Sequence, residues 1–298
     1  MVVLASAWVN RATVAATVGP VIVPPEAIVL AAPESQPTLI VDPAAAVVVP
    51  AEEPVDVSGH ALFGRPKFTV ARDADDVTTL TRPGFTVGHD NDMKQPAWVA
   101  YRWTLADLRR SEAVSFDRFR AAADEELPRR GQAQPSLQHS ETGLQRGHLH
   151  RDADAEAWGR ENVRLAGLMS NMVPQLGSLN ADGWLRLEDA HRHLVEDAAA
   201  GVDRLWVVAG PVFDSETPRR VGNGVAVPDG CFKVVAWLED DTLHARAFIL
   251  PQRADAPLSA YLTSVDEVEA RTGLDLFPAR EFADVEATRP WSIAPLVD

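Results

Sequence analysis

Three apolar, β-rich runs constrain the fold of this 298-residue chain more than any other sequence feature. They cover residues 205–213, 231–238 and 243–250, and each is bounded by Gly, Pro or Asp. Runs of this length that are rich in valine and aromatic residues are typical of buried strands. Only residues 239–242 separate the last two runs, which predicts a hairpin. Residues 98–103 (WVAYRW) indicate a further strand upstream.

Two segments have the pattern of helices. Residues 180–199 carry apolar side chains on one helical face. This stripe consists of Trp184, Leu187, Leu194, Val195 and Ala198. A shorter helix is predicted after Ser264, where Glu267 completes a capping box and Gly273 supplies a stop. Strands and helices are mixed without strict alternation, which favours an α+β fold with a central antiparallel sheet flanked by helices.

The first 55 residues differ from the rest of the chain. They contain eight of the 22 prolines and show no sustained period of 2 or 3.6 residues. Frequent proline prevents helices and disrupts central strands. We therefore predict an extended or disordered arm over residues 1–55 and a globular domain over residues 56–298. The apolar stretches are too short to span a bilayer, and there is no clear secretory signal, so we expect no membrane association and leave a cytoplasmic or a secreted location open.

Charge and cysteine content exclude several classes of protein. The net charge of −15 argues against a protein that coats nucleic acids. Residues 118–151, however, hold six arginines against four acidic residues, a local charge of +2. Cys231 is the only cysteine, which excludes a disulfide framework and a multi-cysteine metal site. Its apolar surroundings in the sequence predict a buried structural thiol.

Residues 145–188 contain side chains suited to hydrolysis of a phosphate ester. His148 is the residue type best able to accept a proton from water near neutral pH. Asn180 offers an amide oxygen of the kind that Mg²⁺ accepts, and Arg146 could hold a phosphate. Glu188 lies two helical turns after Asn180 and could orient a ligand or water. Taken singly, His148 could equally lie in a turn, Asn180 could cap a helix, and Glu188 could be a solvated charge.

The order of these residues resembles the DNA/RNA non-specific endonucleases, the endonuclease G-like family with a ββα-metal (His-Me finger) site. The matching elements are Arg146-Gly147-His148, Ser170-Asn171-Met172-Val173-Pro174-Gln175, Leu179-Asn180, Trp184, Leu187-Glu188 and Val207-Val208-Ala209-Gly210-Pro211. Flanking segments agree as well, so the resemblance covers roughly residues 84–278. It implies a metal-dependent nuclease that cleaves DNA and RNA with little sequence preference.

The resemblance also implies roles for individual residues. His148 would be the general base, and Asn180 would be the only direct protein ligand of a hydrated Mg²⁺, for which Mn²⁺ could substitute. Arg146 and Glu188 would support the phosphate and the metal-bound water. Two further residues, Asn171 and Gln175, would hold the site together. An upstream arginine would stabilise the transition state, with Arg118 as the first candidate and Arg120 as the second.

One departure from the family pattern concerns Gln145, which stands where the family has Asp. A weakened nuclease, or a homologue that binds nucleic acid without cutting it, is therefore the alternative hypothesis. A second alternative is a zinc site built from His148, His150, His191 and His193. It is disfavoured because residues two apart on a helix diverge by about 200°. The expected partners are DNA and RNA, and a homodimer is left open.

Overall fold

The computed structural model describes residues 59–135, 143–197, 201–239, 242–279 and the backbone of 283–284. All of these belong to one unit, Glu53–Asp298. The predicted arm, residues 1–55, lies outside the described residues.

Fourteen strands are present in the described segments. They are β1 (Lys67–Phe68), β2 (Val77–Thr81), β3 (Thr86–Asp90), β4 (Gln95–Thr104), β5 (Leu144–His148), β6 (Met172–Leu176), β7 (Arg204–Val212), β8 (Arg220–Val221), β9 (Val225–Ala226), β10 (Gly230–Glu239), β11 (Thr242–Pro251), β12 (Leu262–Thr263), β13 (Leu274–Asp275) and β14 (Ala283–Asp284).

Eight of these strands form a central sheet in the order β12-β11-β10-β7-β4-β3-β2, with β14 also beside β11. All neighbours are antiparallel except β14, which runs parallel to β11. The four strands predicted from the sequence are β4, β7, β10 and β11. The predicted hairpin is also confirmed, because Glu239 pairs with Thr242 at its tip. These observations confirm the α+β class.

Five α-helices flank the sheets in the described segments: α1 (Leu105–Ala113), α2 (Asp152–Ala155), α3 (Arg160–Ala166), α4 (Trp184–Leu194) and α5 (Val265–Thr272). The predicted capping of α5 is confirmed. Ser264 accepts a hydrogen bond from the backbone N–H of Glu267, and Gly273 ends the helix with a φ of 67°.

The predicted helix over residues 180–199 is correct in its centre and wrong at its ends. A π-helical turn, Leu179–Gly183, precedes α4. Gly183 packs so closely that an added Cβ would lie 2.6 Å from the Cβ of Ala254. At the other end α4 stops at Leu194, although Leu194 and Val195 are both buried. The apolar stripe therefore continues past the last helical turn, and apolar spacing alone does not mark a helix end.

The central sheet separates two apolar cores, as the two-residue period of its strands requires. Cys231 and Val235 of β10 face the core that contains α4. Phe232 and Val234 face the opposite core, which contains α5. No helix in the described segments is long and apolar enough to cross a membrane.

Candidate active site

Two short antiparallel strands and the helix that follows the second of them form the candidate site, and a connection containing α2 and α3 separates the two strands. Strand β5 pairs antiparallel with β6, so that His148 lies opposite Met172 and Gln145 lies opposite Gln175. The π-helical turn and α4 follow β6 in the chain. The predicted ββα arrangement is therefore present.

A cleft of about 400 Å³ opens along the strand pair β5–β6. Its lining includes two arginines and one histidine that the sequence analysis singled out, and one aspartate that it did not consider. These are Arg118, Arg146, His148 and Asp152. The cleft thus combines a candidate base with two arginines suited to an anionic substrate.

His148 is partly buried at the end of β5. Its backbone oxygen accepts a hydrogen bond of 3.1 Å from Nε1 of Trp184 on α4, so helix and strand are joined at this residue. Burial lowers the pKa of His148 below its usual 6.5, and the nearby Arg118 and Arg146 lower it further against the opposing charge of Asp152. The imidazole is consequently neutral at pH 7, which is the form that accepts a proton.

Arg118 and Arg146 both point into the cleft with exposed side chains. The side chain of Arg118 is 81% exposed, and its Nη1 lies 3.3 Å from a carboxylate oxygen of Asp152. Arg146 donates a hydrogen bond of 3.3 Å to the backbone oxygen of Pro135. Arg120, the second candidate for the upstream arginine, is exposed but does not line this cleft. Arg118 is therefore the better placed of the two.

A buried acid fixes the irregular segment that carries Arg118. Asp124 accepts hydrogen bonds of 2.8 Å from Arg82 and 2.5 Å from Ser170. The same segment is tied to the chain after α3, where Ala122 forms a bridge with Leu168. These contacts hold Arg118 beside strands β5 and β6, although Arg118 itself lies in no helix or strand.

Asn180 lies inside the π-helical turn and is held by the strand that carries His148. Its Nδ2 donates a hydrogen bond of 2.8 Å to Oε1 of Gln145. This bond occupies the amide nitrogen, so the carbonyl oxygen Oδ1 is the atom available to a cation. Asn180 does not cap a helix, because the N-cap positions are Ser178 for the π-turn and Gly183 for α4.

Asn171 and Gln175 are fully buried, Gln175 in β6 and Asn171 directly before it. Both amide atoms of Asn171 bond the backbone of His150, at 2.9 Å to its N–H and 2.8 Å to its oxygen. Gln175 donates from Nε2 to the sulfur of Cys231 at 3.3 Å. Cys231 is fully buried, as its surroundings in the sequence predicted, and burial raises its pKa to about 12. These contacts place Asn171 and Gln175 where they can brace the site.

Gly147 shows why the residue before His148 has no side chain. A Cβ at this position would lie 1.8 Å from Oε1 of the buried Gln175. We expect Gly147→Ala to lower the free energy of unfolding by about 1–3 kcal/mol, the usual cost of overpacking a core. Denaturant unfolding measures the change in free energy. In a Gln175→Ala background, where the clashing atom is absent, the additional loss caused by Gly147→Ala should be smaller. A single variant as stable as the parent would contradict this account.

Glu188 is buried, not a solvated charge on an exposed helix face. Its carboxylate oxygens lie 3.8 Å from Nζ of Lys233 and 3.9 Å from Nε of Arg151. Burial raises the pKa of Glu188 to about 7, while Lys233 and Arg151 act in the opposite direction. This carboxyl group lies on α4, which directly follows the π-helical turn that carries Asn180.

Two charged residues near the site were missed by the sequence analysis. Asp152 lies four residues after His148 and lines the cleft. Lys233 stands inside the apolar run that became β10, and a lysine within such a run was the available signal. Its contact with Glu188 could not be predicted, because strand and helix are distant in sequence.

The four histidines of the alternative zinc site do not converge. His150 is buried between the rings of Phe85 and Tyr101, at centroid distances of 4.9 and 4.6 Å. His191 is also buried, whereas His193 is half-exposed beside Glu196. Within the described segments no group of three or more His, Cys, Asp or Glu side chains could hold a metal ion. The zinc hypothesis is therefore not supported.

Comparison with known proteins gives the class to which this fold and site belong. The sequence model of the DNA/RNA non-specific endonucleases matches residues 66–281. A nuclease from Nostoc sp. is 30% identical over 231 residues, covering 74% of this chain and 80% of the relative. A nuclease from Serratia marcescens is 27% identical over 206 residues, covering 66% and 73%. The chain belongs to the DNA/RNA non-specific endonuclease family.

A solved structure shows the same fold. The crystal structure of the EndoG/EndoGI complex, which concerns inhibition of EndoG, matches with a TM-score of 0.61 at 20% identity. The match covers 78% of this chain and 96% of that chain. The resemblance recognised from the motif order is thus confirmed at the level of family and fold.

Proposed function

We propose that this protein is a Mg²⁺-dependent endonuclease that hydrolyses phosphodiester bonds in both DNA and RNA. The observation that carries the proposal is that His148 lines the same cleft as Arg118 and Arg146. Asn180 is oriented by a hydrogen bond that it donates to Gln145, which lies on the same strand as His148. Contacts to phosphates carry no sequence information, so recognition of the backbone by these two arginines favours little sequence preference.

The chain's own residues account for the proton and the charge in this reaction. Neutral His148 accepts a proton from water as the water oxygen forms a bond to phosphorus and the bond from phosphorus to the leaving sugar oxygen breaks. Arg118 and Arg146 donate hydrogen bonds to the phosphoryl oxygens, whose negative charge grows in the transition state. Glu188 is buried on α4 and does not line the cleft, and its proposed role, orienting water at the site, comes from the family resemblance.

The donor set fits a hydrated hard cation. Mg²⁺ prefers oxygen ligands and keeps several waters, so a single amide oxygen from Asn180 is an adequate protein ligand. The bond from Asn180 Nδ2 to Gln145 leaves that oxygen available. When bound, the cation would polarise the phosphoryl group and stabilise the leaving oxygen.

The direct test is cleavage of supercoiled plasmid and of RNA by the purified full chain. We expect nicking and then linearisation of the plasmid, and degradation of RNA, with Mg²⁺ or Mn²⁺ and none with excess chelator. Gel electrophoresis measures the cleavage of each nucleic acid with either metal and with chelator. Binding of both nucleic acids without cleavage at any metal concentration would support the alternative of a non-catalytic homologue.

A further inference from the structure

Lys233 occupies an unusual place on the central sheet. It is fully buried in β10, between Cys231 and Val235 on the face that packs against α4. The residues beside it on the adjacent strands, Ala209 and Phe248, are apolar as well. Burying an ammonium group is unfavourable unless an opposite charge compensates for the lost hydration. A leucine or methionine would fill the same space without that cost.

The ammonium contacts two residues of α4 that lie one turn apart. Nζ of Lys233 is 3.8 Å from Oε1 of Glu188 and 4.4 Å from the ring centroid of Trp184. Among the described residues no hydrogen-bond partner lies within reach of this Nζ. The compensation for its burial is therefore electrostatic, from a carboxylate and from the face of an indole ring.

Trp184 connects Lys233 to the candidate base. The indole N–H of Trp184 bonds the backbone oxygen of His148 at 3.1 Å, while Lys233 lies over the ring. Lys233 thus supports the side chain that joins α4 to β5. The same ammonium faces Glu188, so one buried group is in contact with both supporting residues.

Charged groups surround Glu188 on several elements. The titratable groups facing it are Lys233 from β10, Arg151 from the segment after β5, Asp154 from α2, Tyr101 from β4 and Asp189 on α4 itself. Asp154 is fully buried, and it disfavours a second negative charge nearby. Of the charged groups that lower the pKa of Glu188 and so favour its ionised form, Lys233 has the largest effect.

We propose that Lys233 is a positioning residue of the nuclease site, whose buried ammonium pairs with Glu188 and supports Trp184. Lys233 thereby determines the charge and the placement of the Glu188 carboxylate on α4. The inference rests on the proposed function, because Glu188 acts in that reaction only if the protein cleaves nucleic acid. Lys233 itself does not line the cleft, and it acts through Glu188 and Trp184.

The first test is the dependence of the cleavage rate on pH for the full chain and for Lys233→Met. Methionine has a similar volume and no charge, so the apolar contacts remain. Loss of the neighbouring cation should move the acid limb of the profile upward by roughly 1–3 pH units. This shift lowers the ionised fraction of Glu188 at pH 7, so the rate there should fall by roughly fivefold or more and recover as the pH rises.

A second background separates this role from a merely structural one. In Glu188→Gln the carboxylate is absent, so adding Lys233→Met should leave the acid limb unmoved and change the rate much less than in the parent. An acid limb that does not move in the single variant, or an equal fold-loss in both backgrounds, would overturn the proposal.

The pairing can also be measured without activity, from the free energy of unfolding against pH. The folded-state pKa of Glu188 lies above its usual 4.5, so its ionisation disfavours the folded state as pH rises toward about 7. Without Lys233 this pKa rises further and the loss extends above pH 7. We expect Lys233→Met to lose stability between about pH 7 and 9 relative to the double variant with Glu188→Gln. Parallel profiles would overturn the pairing. Diverging profiles from a parent that cuts nothing would retain the pairing and reject the proposed function.

Discussion

Replacing His148 with alanine is expected to lower the rate of nucleic-acid cleavage by roughly 10²–10⁴-fold, the usual contribution of a general base. The fold should survive, because the bond that joins β5 to α4 uses the backbone oxygen of His148 and not its ring. Initial rates on plasmid and RNA at saturating Mg²⁺ measure the effect, and circular dichroism checks the fold.

His193→Ala is the matched control for this variant. His193 is half-exposed, pairs with Glu196 and does not line the cleft. Its loss should leave the rate within about a factor of two, since surface substitutions of this kind change little. If His148→Ala cuts as fast as the control, His148 is not the base and the proposed mechanism fails.

Replacing Asn180 with alanine is expected to raise the Mg²⁺ concentration required for half-maximal rate by more than roughly 100-fold. Loss of a partner outside the ligand shell typically costs 10–100-fold in metal affinity, and loss of a ligand should cost more. Gln145→Leu, which removes only the partner that orients Asn180, should fall within that 10–100-fold range. Asn180→Asp retains an oxygen donor and should require the least extra metal.

Titration of Mn²⁺ binding by calorimetry tests the same order without reliance on activity. Equal metal affinities for the parent and Asn180→Ala would remove Asn180 from the metal site. Affinity lost in Asn180→Ala but unchanged in Gln145→Leu would keep the ligand and reject the orienting role of Gln145.

The hydrogen bond between Gln145 and Asn180 changes the meaning of the departure from the family pattern. From the sequence, Gln145 is a lost carboxylate near the base. In the structure its amide oxygen accepts from Asn180, which an aspartate oxygen could also do. The geometry therefore retains an acceptor at this position, and only the negative charge is absent.

Local patterns predicted four strands of the central sheet and two helices, whereas the shorter elements β2, β3, β5, β6, α1, α2 and α3 were not predicted. The strands β4, β7, β10 and β11 follow from alternating or continuous apolar runs, and α5 follows from its cap and stop residues. These signals act between residues that are close in the chain. The π-helical turn was not predictable in this way, because it depends on the approach of Ala254 to Gly183.

By itself the sequence determined the family and the α+β class, and it singled out the candidate site residues, because motif order and spacing are properties of the chain. Only the tertiary structure decided that Glu188 is buried and that Lys233 faces it across the interface between sheet and helix. It also decided that Arg118, from an irregular segment, reaches the same cleft as His148. Burial and charge proximity arise from contacts between distant segments, and these contacts determine the pKa of Glu188 and the cost of an unpaired Lys233.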